Sequence, residues 1–171
     1  MAEFAIALPI LLLIILGLIE TGRLIFIYAG VVTSSREAAR YGSAQGLIDK
    51  DSIYFKYQDC AGIRETAESV AFLIPPSDLT ITIEYDAPGT TYYQECEDTD
   101  GDGIDKGIVV SPHPVYDPDT GEVIQKVPKR ITITSTASYS PIIPIIPQFT
   151  INNITTSSSR TYLTPIEFSP E

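Results

Sequence analysis

The densest chemistry in this chain lies in the run Asp98-Thr-Asp100-Gly-Asp102-Gly103-Ile104-Asp105. Three carboxylates at alternate positions followed by glycine match the first half of a calcium loop. There the glycine permits the sharp turn, and the next carbonyl, that of Ile104, points back at the ion. The position that usually supplies a bidentate Glu holds Val109, so Asp105 is the expected substitute. The predicted ligand set is Asp98, Asp100, Asp102, Ile104 and Asp105, around a structural calcium of weak extracellular affinity, about 10⁻⁴ to 10⁻³ M. Without a cation these carboxylates repel one another, and the alternative is a solvated acidic loop.

Two cysteines, Cys60 and Cys96, are the next reactive pair. A metal site usually wants three or four ligands, so an isolated pair reads more readily as one disulfide, with two buried free thiols as the alternative. The single histidine, His113, stands between Pro112 and Pro114. No Ser/His, Cys/His or phosphate-loop pattern accompanies it, and the sequence predicts no enzyme. Asn153-Ile-Thr155 fits a glycosylation acceptor, with Asn153 as the modified residue. The acidic run also resembles the short Asp-x-Asp-x-Asp-Gly-x-x-Asp loops of bacterial surface proteins.

The elements that must carry these groups divide the chain in two. Residues 1–47 form an apolar stem, and 48–171 an acidic head with an inserted loop at 96–106. In the stem Glu3, Glu20 and Glu37 balance Arg23, Arg36 and Arg40, so the formal charge of -11 falls on the head. Such a balance excludes nucleic acid as a partner, because its binding needs basic surface. From Phe4 to Ile19 no charged or strongly polar side chain interrupts the stem. At roughly 25 cal/mol per Å² its burial outweighs any single feature downstream.

Three readings compete for this segment. A cleavable secretory signal is disfavoured, since no Lys or Arg precedes Phe4 and helical sequence continues far past the apolar run. A transmembrane anchor needs about 20 apolar residues, which the run approaches if Glu3 and Glu20 sit at the two interfaces. The third reading is a helix for two environments. Leu24, Ile27, Tyr28, Val31 and Val32 fall at helical spacing, followed by small residues beside charges in Ser34 to Tyr41. Such a helix of about 45 residues would be about 68 Å long, twice the hydrocarbon thickness. Pro9, Gly17 and Gly22 predict a kink or melted turn between about Ile6 and Arg23. Glu3, a costly carboxylate on an apolar helix, is either an interface residue or the partner of the α-amine of Met1 in a neighbouring copy, which would set the register of stacked helices.

Glu3-Phe-Ala-Ile-Ala-Leu-Pro9, the Leu/Ile run, Gly17-Leu-Ile-Glu20, Gly22-Arg23 and Ser35-Arg-Glu-Ala-Ala-Arg-Tyr41 resemble the opening of TadE-like pilus proteins, relatives of type IV pilins in the tight-adherence machinery. Ser138-Tyr-Ser-Pro-Ile-Ile-Pro144 and Ile154 to Arg160 resemble that family's closing strands. The resemblance implies a leader cut by a prepilin peptidase on the cytoplasmic side of the membrane, then extraction of the helix into a filament by the pilus assembly machinery. A basic leader is missing before Met1, which fits numbering from a mature residue. In type IV pilins the acidic residue is fifth after the cut, whereas here it is third, so the amine to Glu3 geometry does not carry over unchanged.

In the head, Ile48 to Asp59 reads as a connecting loop and Cys60 to Ile74 as a short second helix stopped by Pro75-Pro76. Leu79 to Tyr85 and Arg130 to Tyr139 alternate at period two. Further strands are predicted at about 107–110, 115–116 and 123–127, with Asp117 to Glu122 as a hairpin turn. Pro141, Pro144 and Pro147 carry the chain to a last strand over Ile151 to Leu163. The expected fold is α+β, a long pilin-like hydrophobic helix packed against a small antiparallel β-sheet head with a second short helix. The expected function is a structural subunit that polymerises with copies of itself into an extracellular filament at the cell surface, after residing in the membrane. The alternatives are a minor membrane-anchored assembly component and a membrane-anchored calcium-dependent adhesion module.

Overall fold

The computed structural model of the protein describes residues 2–44, 46–50, 52–86, 93–98, 100–106, 115–116, 123–125, 130–142 and 151–161. Its spine is helix α1, Ala2–Gly42, unbroken through Pro9, Gly17 and Gly22. The expected melted turn does not form. Proline removes one backbone bond, whereas opening the chain inside an apolar run would leave several polar groups with no partner.

Helix α2, Cys60–Val70, begins at Asp59, whose carboxylate accepts the Gly62 N–H at 2.7 Å as an N-cap. It buries Ile63 and Ala67 and runs back along α1, with Ile63 beside Gly42, and Ala71 and Ile74 beside Gly30. The helix ends four residues earlier than the spacing predicts. Ala71 N–H donates to Glu68 and Ile74 N–H to Ala71, tightening the chain into turns, because the residue before Pro75 is pushed out of helical geometry.

The strands are β1 (Leu79–Asp86), β2 (Tyr93–Glu95), β3 (Val115–Tyr116), β4 (Val123–Gln125), β5 (Arg130–Tyr139) and β6 (Ile151–Thr161). Four form an antiparallel sheet in the order β2-β1-β5-β6, and β3 pairs with β4 apart from it. Strand β2 was not foreseen. Strand β5 supplies the centre of the sheet, and its alternation sends Ile131, Ile133, Ser135, Ala137 and Tyr139 inward. The predicted strand at 107–110, His113, the turn at 117–122, and Pro144 and Pro147 lie outside the described residues.

The sheet packs on the C-terminal half of α1 because that half presents small side chains. Ile27, Val31, Ser34, Ser35, Ala38 and Ala39 are buried at helical spacing. Tyr28, predicted on the same face, is instead exposed, one residue of helical rotation past Ile27. Ser34 and Ser135 hydroxyls meet at 3.1 Å, and Thr156 donates to the Val31 carbonyl at 3.1 Å, so the polar groups of the contact are paired. At Gly42 a Cβ would stand 2.6 Å from the Ile131 Cδ1 atom. A side chain there would displace the Ile131 and Ile63 side chains from their packing.

Candidate functional site

The N-terminal half of α1 has no such partners among the described residues. From Leu8 to Ile19 every large apolar side chain except the half-buried Leu16 is solvent-facing around the circumference, and the exposure continues on one face at Ile25 and Phe26. This bare shaft is long and apolar enough to cross a membrane, and little of it is buried within the chain. Met1 lies outside the described residues, and of Glu3 the helical backbone is described. The predicted amine to Glu3 contact therefore has no described geometry.

Shaft gives way to head at Glu20. The sequence suggests an interface residue; the structure makes it a buried anchor. Tyr139 O–H donates to Glu20 Oε1 at 2.7 Å, and the Ile142 N–H donates to the same oxygen at 3.2 Å. Arg23, one turn on, donates to Glu20 at 2.8 Å and also to the Ser140 carbonyl, while its guanidinium lies 4.5 Å from the centre of the Tyr139 ring. Burial and the bond to Glu20 raise the Tyr139 phenol above its ordinary value. A helix residue and the end of β5 thus hold each other where the head begins. Sequence reading missed this neck because its parts are 119 residues apart; the available signal was a Glu and an Arg one turn apart within an apolar helix.

At the far end of the head the cysteines form one disulfide, Cys60–Cys96, with Cα atoms 6.0 Å apart. It ties the first turn of α2 to the end of β2. The Tyr85 hydroxyl, in the core, donates to the Tyr57 carbonyl at 2.6 Å and approaches the Cys96 sulfur at 3.1 Å. Burial pushes this phenol strongly upward, with Asp105 adding in the same direction. Tyr41 O–H donates to Asp59 at 2.6 Å, which locks the α2 cap to α1.

The acidic loop hangs from this staple. Asp98, Asp100 and Asp102 come together, each offering a carboxylate oxygen within 4.8 Å of the others'. Asp98 accepts the N–H groups of Gly101 and Gly103, whose φ angles of 81° and 84° require glycine. Lys106 bridges the other two acids, bonded to Asp100 and 2.6 Å from Asp102. Those contacts raise the Lys106 ammonium above its ordinary value, and the bond to Lys106 lowers the Asp102 carboxyl. Asp105 departs from the predicted ligand set. It is buried, its carboxylate accepts the Glu97 N–H at 2.9 Å, and its own N–H donates to Gln58 at 2.7 Å. The physical reason is the Asp59–Ile104 bridge, which turns the chain inward just before Asp105 and faces it to the disulfide. Ile104 sits in that bridge. Asn153 is exposed on β6.

A bare apolar shaft on an α+β head, joined along one continuous helix, defines a pilin-like class of membrane-anchored protein. Residues 1–40 match the family model described as TadE-like protein. Neither a curated protein nor a solved structure matches the chain. The match is confined to the N-terminal helix, so it is this segment that is similar to TadE-like proteins.

Proposed function

We propose that the protein is a structural, non-catalytic subunit of a Tad-type pilus, resident in the membrane through its shaft and then carried into an extracellular filament with copies of itself. The observation that supports this is the ring of exposed Leu and Ile side chains from Leu8 to Ile19. Such a surface needs an apolar surrounding, and both lipid and a bundle of identical helices supply one. Prepilin peptidase and the pilus assembly machinery act on the chain before and during this transfer. Glu3, near the α-amine, sets the axial register of stacked subunits. Surface fibres analysed by mass spectrometry should contain this chain at near one-to-one mass. Replacing Glu3→Ala should leave the membrane form intact and stop incorporation into fibres; normal fibres from that variant would refute the register role. Recovery of the native protein solely as a detergent-soluble monomer would favour a minor assembly component.

A second proposal concerns the acidic loop, which we read as a structural calcium site built on Asp98, Asp100 and Asp102. Convergence of the three carboxylates supports it, and Lys106 would have to release Asp100 and Asp102 for the ion to enter. Added calcium should raise the melting temperature of the head and chelator should lower it. If Lys106 is instead the permanent counter-charge, calcium leaves the melting temperature unchanged and Lys106→Ala lowers it.

A further inference from the structure

The exposed apolar side chains of the head are not scattered. Among the described residues, Leu47, Ile53 and Phe55 lie in the loop that follows α1, at the end remote from the shaft. The others gather at the opposite end, around the neck: Phe72 is 81% exposed, Leu73 50%, Ile142 72% and Ile151 37%. Chain direction explains the gathering. Helix α2 descends along α1 and delivers Phe72 and Leu73 in the turn beneath it, while β5 descends to Tyr139 and delivers Ile142 beside Glu20. Leu73 and Ile142 share a groove of about 690 Å³ with Leu18, Ile19 and Phe26 of α1. Through Leu73 and Ile142 the rim of the head therefore joins the top of the shaft in one groove whose walls are mostly apolar.

We infer that this rim is a second membrane-contacting surface, which seats the head in the interfacial layer of the bilayer around the emerging shaft. The inference rests on the membrane-anchored reading of α1 and not on polymerisation. Depth decides the occupant. Helix between Glu3 and Glu20 spans about 24 Å at 1.5 Å per residue. The hydrocarbon core is about 30 Å thick. A shaft that crosses it brings the boundary of the hydrocarbon about four residues past Glu20, near Leu24. Ile142, beside Glu20, therefore lies at that boundary, and the turn carrying Phe72 and Leu73, whose neighbours Ala71 and Ile74 pack on Gly30, lies just above it at headgroup level. Phe72 and Leu73 sit in a turn and not in a spanning element, so they enter only as far as the layer of headgroups bordering the acyl chains, as an amphipathic surface element does. The charged residues lining the groove agree with a shallow seat: Arg23 is turned to Glu20 and Ser140, and Asp78 remains exposed. Charge of this kind belongs at headgroup level and not among acyl chains.

The chain contains no tryptophan, so single Trp substitutions report position without background. The full chain carrying Phe72→Trp, Ile53→Trp or Leu12→Trp is reconstituted into phosphatidylcholine vesicles whose acyl chains bear bromines at shallow or deep carbons. All three sites are exposed, so the fold should tolerate them, and far-ultraviolet circular dichroism checks this. Trp at 72 should be blue-shifted and quenched most by shallow bromines. Trp at 12 should be quenched by deep bromines, and Trp at 53 by aqueous acrylamide alone. If Trp at 72 behaves like Trp at 53, the rim does not touch lipid and the inference falls while the anchor stands. If Trp at 72 is shielded from acrylamide yet unquenched by bromines, a second copy covers the rim and the lipid assignment is overturned. If Trp at 12 also escapes the bromines, the membrane anchor itself is wrong and the seat goes with it.

Discussion

The two halves of α1 are one helix with two surfaces. Below Glu20 the exposed side chains are Leu and Ile on all sides; above it, past Ile27, the packed face is Val, Ser, Ala and Gly, covered by the sheet and α2. The difference teaches how a single secondary element serves two surroundings. Large aliphatic side chains suit an environment that supplies its own apolar contacts, whereas small ones let a sheet approach closely enough to form a core. One substitution type should therefore act oppositely in the two halves. Val31→Asp buries an unpaired carboxylate in the head core and should unfold the head, costing upwards of about 4 kcal/mol. Leu12→Asp should leave the head's melting temperature within error of the parent while abolishing membrane retention, at about 2.5–3.5 kcal/mol for a charge at the bilayer centre. Thermal melts and membrane flotation of the two variants measure the contrast. Equal loss of head stability in both would break it.

Covalent stapling belongs to the head alone. Reduction of Cys60–Cys96, which closes a separation of 36 residues, should cost the head about 2–4 kcal/mol. It should leave shaft insertion unchanged. Gly42→Val, which places a branched side chain against Ile131 and Ile63, should cost about 1–3 kcal/mol by overpacking. Denaturant midpoints with and without reductant test both.

Much of this contrast is legible in the sequence. The apolar run, the acidic head, the disulfide pair and the two long alternating strands follow from period and composition, because each is a local signal repeated several times. What escaped depends on partners far apart in the chain. Strand β2, Tyr93–Glu95, is three residues without alternation and takes its place from pairing with the end of β1 and from the neighbouring disulfide. Asp105 looks like a loop ligand by spacing and becomes a core acceptor because Gln58 and Glu97 reach it. Glu20 looks like an interface residue by position and becomes a buried anchor because Tyr139 and Ile142 arrive from the other end of the chain. Pro9, Gly17 and Gly22 predict a kink or a melted turn by propensity, and the melted turn is excluded by the continuous helix.

Alkaline pH should separate the halves more gently. The Tyr85 phenol, ordinary value 10.0, is pushed up by burial in the folded head. Its contribution is complete below pH 10, where folded and unfolded chains both hold the proton. Above that pH the unfolded chain ionises and the folded one does not, so head stability falls by about 1.4 kcal/mol per pH unit until the folded phenol also titrates. Tyr139 acts in the same direction. Chemical melts at pH 9 to 11 should show the fall, reduced in Tyr85→Phe, while the helical signal of the shaft in lipid stays level. A head whose stability is flat across that window would show that Tyr85 is reached by water.

The smallest expected effect is at the junction, and it bears most directly on how the halves are joined. Glu20→Gln keeps an oxygen for the Tyr139 hydroxyl and the Ile142 N–H, but removes the charge that holds Arg23. Arg23 then retains the Ser140 carbonyl and the Tyr139 ring. The head core above Val31 is untouched, so its melting temperature should fall slightly with Gln and more with Ala, which leaves the Ile142 N–H without its acceptor. The more telling measurement is distance. Spin labels on Leu12 and Ile53, read by pulsed electron resonance, should give a narrow distribution in the parent, a broader one in Glu20→Gln and the broadest in Glu20→Ala. The reason is that α1 runs through the junction without a break, while the end of β5 is tied to it through this carboxylate. Unchanged widths across the series would mean that the small-residue face of α1 fixes the head without help, and that Glu20 is buried there only because the head covers it.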